Sequence, residues 1–379
     1  MARRYELRFA GLIYIATTLF TAIGAFNSQN NLLFWAFGIG VAGLIVSGVV
    51  SGSALMGVRA RRYAPGEAPV GGTVDLRYLV VSQNSFIPGA ALVIRETPAP
   101  TKRGVFSGRL SPGAATVPFL KAGGRAAVGC SLEAQARGPI ELDRFEVASS
   151  FPFGLVSKSI VFSQPERVLL TPARVPLRDG LIVASGLGRT RELVPGGRSG
   201  AGSEFYGLRE YVPGDSTRTI AWRRSAAGNT LLVREFADPS PPVVRVLVDA
   251  RTLGGAGSLR FERAVAIASA LLERARERGH SVALDLPATA EQFAPSDDPR
   301  MVRRARTRLA TLDDAPAATA ARPRPQGEGQ LIVVGESVEP ISGRHALRLD
   351  PMDDARWLAP GQAVPKALAG APAEMGRAS

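Results

Sequence analysis

Apolar and charged positions alternate with different periods along the chain, and each change of period marks a new element. Phe9 to Val58 is a run of 50 residues without Asp, Glu, Lys, Arg or His. A membrane-spanning helix needs roughly 20 apolar residues, so the run has room for two. It divides at the polar cluster Asn27-Ser28-Gln29-Asn30-Asn31, which predicts spans at about 9–26 and 32–58. Phe34 and Trp35 lie near one end, where interfacial aromatics belong, and Gly40, Gly43, Ser47 and Gly48 offer small faces for close helix contact. A secretory leader has a single apolar region of about 7–15 residues, not two long runs in series. Arg3, Arg4 and Arg8 precede the first span, Arg59, Arg61 and Arg62 follow the second, and the turn between them is uncharged. The positive-inside rule then predicts a hairpin in the inner (plasma) membrane, with both termini and the main body cytoplasmic. The spans carry no ionisable group of the kind that lines a transport path, so the hairpin reads as an anchor.

From 63 to 172 the period falls to two. Val74 to Val81 alternates like a half-buried strand, and shorter runs at 91–96, 116–120, 126–132, 140–147 and 159–162 are separated by Pro88-Gly89, Pro112-Gly113 and Gly123-Gly124. These features predict a β-sandwich-like module. Phe151-Pro152-Phe153-Gly154-Leu155 is expected to pack its end as a hydrophobic corner. From 241 the rhythm changes again. Val243–Val248 reads as a buried strand, 261–278 as a helix stopped by Gly279, 281–286 as a strand, 300–312 as a helix and 331–334 as a strand, which together predict a parallel α/β sheet. The Ala-, Pro- and Arg-rich stretch 315–329 reads as a loop. The predicted fold class is multi-domain α+β: transmembrane hairpin 1–62, β-sandwich-like module 63–172, a dense mixed-charge segment 173–240, an α/β domain 241–358 and a disordered tail 359–379.

Composition narrows the chemistry. The one cysteine, Cys130, excludes a disulfide framework and a cysteine-built zinc site, and two histidines, His280 and His345, argue against a His-rich metal centre or a His-based triad. The net charge of +13 allows nucleic acid, anionic lipid or an acidic partner, and also follows from the basic flanks of membrane spans.

The densest segment runs from Gly196 to Phe236 and interleaves aromatics with charges of both signs. Its residues Gly202, Glu204, Phe205, Leu208, Arg209, Tyr211, Pro213, Gly214, Asp215, Arg218, Ile220, Trp222, Ala226, Val233, Arg234 and Glu235 closely resemble the signature of the bacterial domain-of-unknown-function 58 family. Ala221 and Ala227 depart from that family's usual pattern. The wider layout is similar too: a membrane hairpin, a β-rich region closing in Phe151-Pro152-Phe153-Gly154-Leu155, the signature, then a von Willebrand factor A-like α/β region. The resemblance implies no established enzymatic activity. It implies partnership with a MoxR-type AAA+ ATPase and other von Willebrand factor A proteins, in assembly or remodelling of protein complexes at the membrane. The signature residues are then the interaction site.

Other chemistries rank lower. A von Willebrand factor A domain can hold Mg²⁺ through Asp-x-Ser-x-Ser, but Asp249-Ala250-Arg251-Thr252-Leu253 keeps only the first carboxylate, a degenerate remnant with too few oxygen ligands, so no metal or cofactor is expected. The glycines at 196–202 lack a P-loop pattern and read as a hinge. Ser199 and Ser203 have no neighbouring base. His280 is expected to cap a helix end, and Trp222 to stack on Arg223 or Arg224 rather than on bases, so nucleic acid is not expected. No small-molecule substrate is evident. The sequence thus predicts a membrane-anchored, non-enzymatic adaptor; the alternative is a membrane-bound hydrolase or transferase using Glu204 and Asp215 as an acid pair.

Overall fold

A computed structural model describes residues 2–97, 108–182, 204–228, 230–237, 242–249, 253–254, 257–312, 329–335 and 346–369. Strand β1 (Ala2–Leu7) runs through Arg8 into helix α1 (Phe9–Ser28), which turns into α2 (Asn31–Ser53). The turn works because Gln29 adopts the left-handed conformation and the Asn30 side chain accepts from Leu32 N–H at 2.9 Å. The small face is used: a Cβ on Gly40 would meet Thr18 at 2.9 Å, and one on Gly43 would meet the Tyr14 hydroxyl at 2.5 Å. Both helices are long and apolar enough to cross a membrane, and Leu12, Phe20, Trp35 and Ile39 lie exposed along them. The second helix ends at Ser53, five residues short of the expected Val58. Gly57, at φ +73°, turns the chain, and Val58 is drawn into a β core.

The core is built by β2 (Val58–Tyr63), β3 (Glu67–Pro69), β4 (Thr73–Ser82), β5 (Gly89–Thr97), β6 (Ala114–Leu120), β7 (Arg125–Glu133), β8 (Gly138–Ser149) and β9 (Val156–Thr171). One sheet has the order β1-β9-β8-β5-β6 with β3 beside β9, and the other has the order β2-β4-β7. Leu76, Leu92, Ile94, Leu120, Ile140 and Leu142 fill the space between them. The basic N-terminal flank is not a free tail. It is an edge strand paired with β9, Tyr5 opposite Lys158. The helical hairpin is therefore inserted between a strand of one sheet and a strand of the other, and both its ends continue into paired backbone. Strand β9 extends well beyond the expected 159–162. Pro165, which has no N–H, hid the continuation; it falls where the register against β8 shifts between Leu142 and Arg144.

Arg62, expected as a membrane flank, is 0% exposed. It occupies an inward position of β2, and its guanidinium reaches Glu96 Oε2 at 2.6 Å, the Leu142 carbonyl at 2.6 Å and the Gln164 carbonyl. Tyr78 Oη donates to the other Glu96 oxygen at 2.7 Å. Burial pushes the Glu96 carboxyl upward, against the pull of Arg62 and Tyr78. Burial first, then the Glu96 charge, pushes the Tyr78 phenol up as well.

After the sandwich, β10 (Glu204–Glu210) and β11 (Leu232–Ala237) form a separate antiparallel hairpin whose connection carries the short helix α3 (Trp222–Ser225). The α/β unit follows: β12 (Val243–Val248), α4 (Leu259–Glu277), β13 (Ser281–Leu286), β14 (Glu291–Ser296), α5 (Pro299–Ala310), β15 (Gln330–Val334), β16 (Ala346–Leu349), α6 (Asp354–Trp357) and α7 (Lys366–Ala369). Ser258 and Asp298 cap the two long helices, as their positions before apolar-periodic runs require. Gly279 at φ +78° and the backbone N–H of His280, bonded to the Ala275 carbonyl at 3.0 Å, close α4. The His280 ring does not cap the helix: it is buried, and neither ring nitrogen has a hydrogen-bond partner among the described residues.

The sheet order is β14-β13-β12-β15-β16. It is parallel as expected, except that β14 is an antiparallel edge. Strand β12 is also not purely apolar: Arg245 is buried and donates to both oxygens of Asp285, at 3.0 and 3.1 Å. Burial raises the Asp285 carboxyl against that partner.

Two segments belong to this core that the sequence placed elsewhere. Ala173, Val175, Leu177, Leu181 and Ile182 pack into it from the head of the 173–240 segment. The stretch 359–369, expected as part of a disordered tail, is ordered: Ala359 N–H bonds the Pro176 carbonyl at 3.0 Å, and Leu368 is buried. Apolar residues spaced too irregularly for a periodic signal, such as Val364 and Leu368, still found a surface to cover.

A buried arginine is one of the contacts that join the two bodies. Arg137, between β7 and β8, pairs with Glu262 at 2.8 Å and donates to the Leu309 and Ala310 carbonyls at 3.0 and 3.1 Å. It also lies 5.2 Å from the Phe261 ring centroid. A cation belongs at the unpaired carbonyls of a helix C-terminus, and Glu262 belongs in the first turn of α4.

Candidate functional site

The described signature residues gather on the β10–β11 hairpin and its connection. Val212-Pro213-Gly214-Asp215 is a tight turn: Asp215 N–H bonds the Val212 carbonyl at 3.1 Å, Pro213 stands at the second position, and Gly214 at the third takes φ +112°. Arg209 grips Asp215 with two parallel bonds of 2.7 and 2.6 Å, and Val212 N–H adds a third at 3.0 Å to the same carboxylate. These bonds hold the Asp215 carboxyl below the usual range, the Arg209 hydrogen bond most of all.

The rest of the connection folds back on β11. Tyr211 N–H reaches Leu231, Ala221 N–H reaches Leu232 at 2.8 Å, and Ile220 bridges Val233. Ser225 Oγ accepts from Leu232 N–H at 2.8 Å. Ile220, Ala221 and Val233 are buried beneath this wrap. What remains outside is an unusual surface. Trp222 is 62% exposed, with Leu208, Val212 and Leu231 exposed as well. Arg218, Arg223, Arg224 and Arg234 are exposed on the same hairpin.

The backbone places the two acids of the expected pair at opposite ends of β10. Glu204 opens β10 opposite Ala237, whereas Asp215 lies past the strand's other end, held by Arg209. Six residues of extended chain, about 20 Å, separate Glu204 from Glu210 before the turn begins. Glu235 pairs with Gly207 and Phe205 with Phe236 in the ladder. Gly202, the glycine cluster 196–202 and Ser199 and Ser203 lie outside the described residues, as do Ala250–Thr252, His345 and the stretch 315–328. Asp249 is buried at the end of β12, its N–H bonded to Val334 at 3.0 Å. Among the described residues no three His, Cys, Asp or Glu side chains stand together as a metal site.

The clamp predicts acid sensitivity. A carboxylate whose folded-state pKa is lowered contributes stability above its ordinary pKa, and that contribution is lost as pH falls through the lowered value. The hairpin should therefore hold at neutral pH and loosen only in strong acid. Asp215→Asn should loosen it at neutral pH, read as faster tryptic cleavage at Arg218, Arg223 and Arg224. Cleavage at the unchanged rate would mean that the turn holds without the clamp.

No curated protein matches the chain. The sequence profile of the family described as "Protein of unknown function DUF58" matches residues 207–349, from the bulge of β10 to the end of β16. Over that stretch, which takes in the clamp, the Trp222 surface and the whole α/β sheet, the chain is similar to the DUF58 family.

Proposed function

We propose that the protein is a non-enzymatic platform held at the inner face of the plasma membrane by the α1–α2 hairpin, with the β10–β11 hairpin as its docking surface. The observation that carries this reading is the division of labour within the signature. Arg209, Asp215 and Ser225 are engaged in shaping the hairpin, while Trp222 and four arginines face outward. A large exposed aromatic on a hairpin that also exposes arginines has the composition of a protein-binding hot spot. The buried Arg137 joint supports transmission of a load between the anchor and the α/β unit, as a remodelling partner would require. The family resemblance points to a MoxR-type AAA+ ATPase as that partner and to a von Willebrand factor A-like reading of the α/β unit. The basic residues Arg8, Arg59 and Arg61 at the helix exits support cytoplasmic termini.

Co-purification from gently solubilised membranes tests the reading. The full-length protein should recover an AAA+ ATPase. Trp222→Ala combined with Arg223→Ser and Arg224→Ser should abolish recovery without lowering the melting temperature, because all three side chains are exposed. Undiminished recovery by the triple variant would remove this hairpin as the docking surface.

A further inference from the structure

At the foot of the helical hairpin lies a cavity of about 320 Å³. Arg4, Tyr5 and Lys158 line one side and Val49, Leu55 and Met56 the other. We propose that this cavity is a binding site for the headgroup of an anionic phospholipid. The proposal rests on the reading that α1 and α2 cross a bilayer.

Depth is the first argument. Strand β1 leads directly into α1, and its register with β9 places Leu7 opposite Val156, Tyr5 opposite Lys158 and Arg4 opposite Ser159. At about 3.4 Å per residue, Tyr5 and Lys158 stand about 7 Å below Leu7, and Arg4 about 10 Å below. With a hydrocarbon core about 30 Å thick and a total of about 40–45 Å, each headgroup layer is about 5–8 Å deep, so Tyr5 and Lys158 stand at its outer edge and Arg4 just beyond it, within reach of its long side chain.

The second argument is the construction of the site. The Lys158 ammonium donates to the Gly48 carbonyl of α2 at 2.5 Å and lies 5.3 Å from the Tyr5 ring centroid. Gly52 makes room for it, since a Cβ there would meet Nζ at 2.6 Å. An ammonium has three N–H donors, and Gly48 accepts one. Arg4 is exposed and presents a fork suited to phosphate. Apolar walls continuous with the outer face of α2 suit the glycerol and upper acyl carbons beside it.

The third argument is the rim. Phe151 and Phe153, expected to pack the sandwich end, are 42% and 58% exposed; only Leu155 of that motif is buried. Their loop abuts the start of α1, where Arg8 N–H bonds the Leu155 carbonyl at 3.2 Å. Phe86, 90% exposed, lies in the loop that meets the exit of α2, Gln83 N–H bonding the Gly57 carbonyl at 2.8 Å. Bare aromatics on both sides of the helix exits set the sandwich end into the interfacial layer, which brings the cavity to the lipid phosphates.

The test uses the full-length protein in mixed vesicles of phosphatidylcholine and phosphatidylglycerol. A carbonate wash comes first: release of the protein from the vesicles would overturn the anchor itself, separately from any lipid preference. Lipids that survive gentle detergent extraction are then counted by native mass spectrometry. Phosphatidylglycerol should be retained over phosphatidylcholine, and Arg4→Gln and Lys158→Gln should each weaken that retention about fivefold. Lys158→Arg should preserve it. Should Lys158→Gln disturb the fold, seen as a lowered melting temperature, Arg4→Gln decides alone, because Arg4 is exposed and away from the helix contact. Equal retention of the two lipids, unchanged retention in Arg4→Gln, or displacement by excess inorganic phosphate would each overturn the proposal, the last by marking a simple anion site.

Discussion

Arg62→Ala should lower the stability of the β-sandwich by about 3–5 kcal/mol, the usual cost of removing one partner from a buried ion pair. Without the guanidinium, Glu96 must protonate or remain an uncompensated charge, and the Leu142 and Gln164 carbonyls lose their donor. For a body of this size the melting temperature should fall by roughly 6–20 °C. The detergent-solubilised full chain is the material to use, because the two apolar helices are continuous with the sandwich strands. The paired replacement Arg62→Met with Glu96→Leu should cost less than Arg62→Ala alone, since it removes the charge together with its partner. A melting temperature for Arg62→Ala within about 2 °C of the parent would show that the network contributes little to folding.

The second large effect is expected at the joint. Arg137→Ala removes an ion pair to Glu262, two hydrogen bonds to the end of α5 and a cation–ring contact to Phe261. The loss should be about 2–4 kcal/mol, because bonds to charged groups are worth more than neutral ones and two helix-end carbonyls are left buried. The form of the effect matters more than its size. These bonds cross from the sandwich to the α/β unit, so the variant should unfold in two separated transitions rather than one. Arg137→Lys should fall between, keeping the charge and losing the planar fork. A single transition at the parental temperature would mean that the two bodies are coupled by other contacts.

Much of the fold follows from local pattern. The uncharged run of 50 residues could only be long apolar helices, and the polar cluster at 27–31 marked their turn within two residues. Period-two alternation found β4, β7 and β8, and the 3.6-residue period stopped by Gly279 found α4, though not its Ser258 cap. The signature of the candidate site was legible because its turn needs particular residues: Pro213 fixes its own φ, Gly214 accepts the positive φ that other residues resist, and Arg209 and Asp215 suit each other.

Contacts distant in sequence were not legible. Nothing local distinguishes an arginine at a membrane flank from one that closes a core. Arg62 became the second kind because β2 places it inward opposite Glu96 and Gln164, 34 and 102 residues away. Strand β1 looked like a basic membrane flank because its partner lies about 150 residues on. Phe151 and Phe153 looked like core because aromatics usually are; the neighbouring helix exits leave them bare.

Period, charge-free length and turn chemistry, read from the residues alone, determined two apolar helices, a β body, an α/β body and a constrained signature between them, because each depends on neighbours within one turn or one strand. Only the tertiary structure decided that the helices rise from between two sheets, that Arg137 joins the bodies, that Glu204 and Asp215 stand apart and that Trp222 faces out. Those outcomes depend on which distant surfaces meet, and burial then sets the cost or benefit of every charge they enclose.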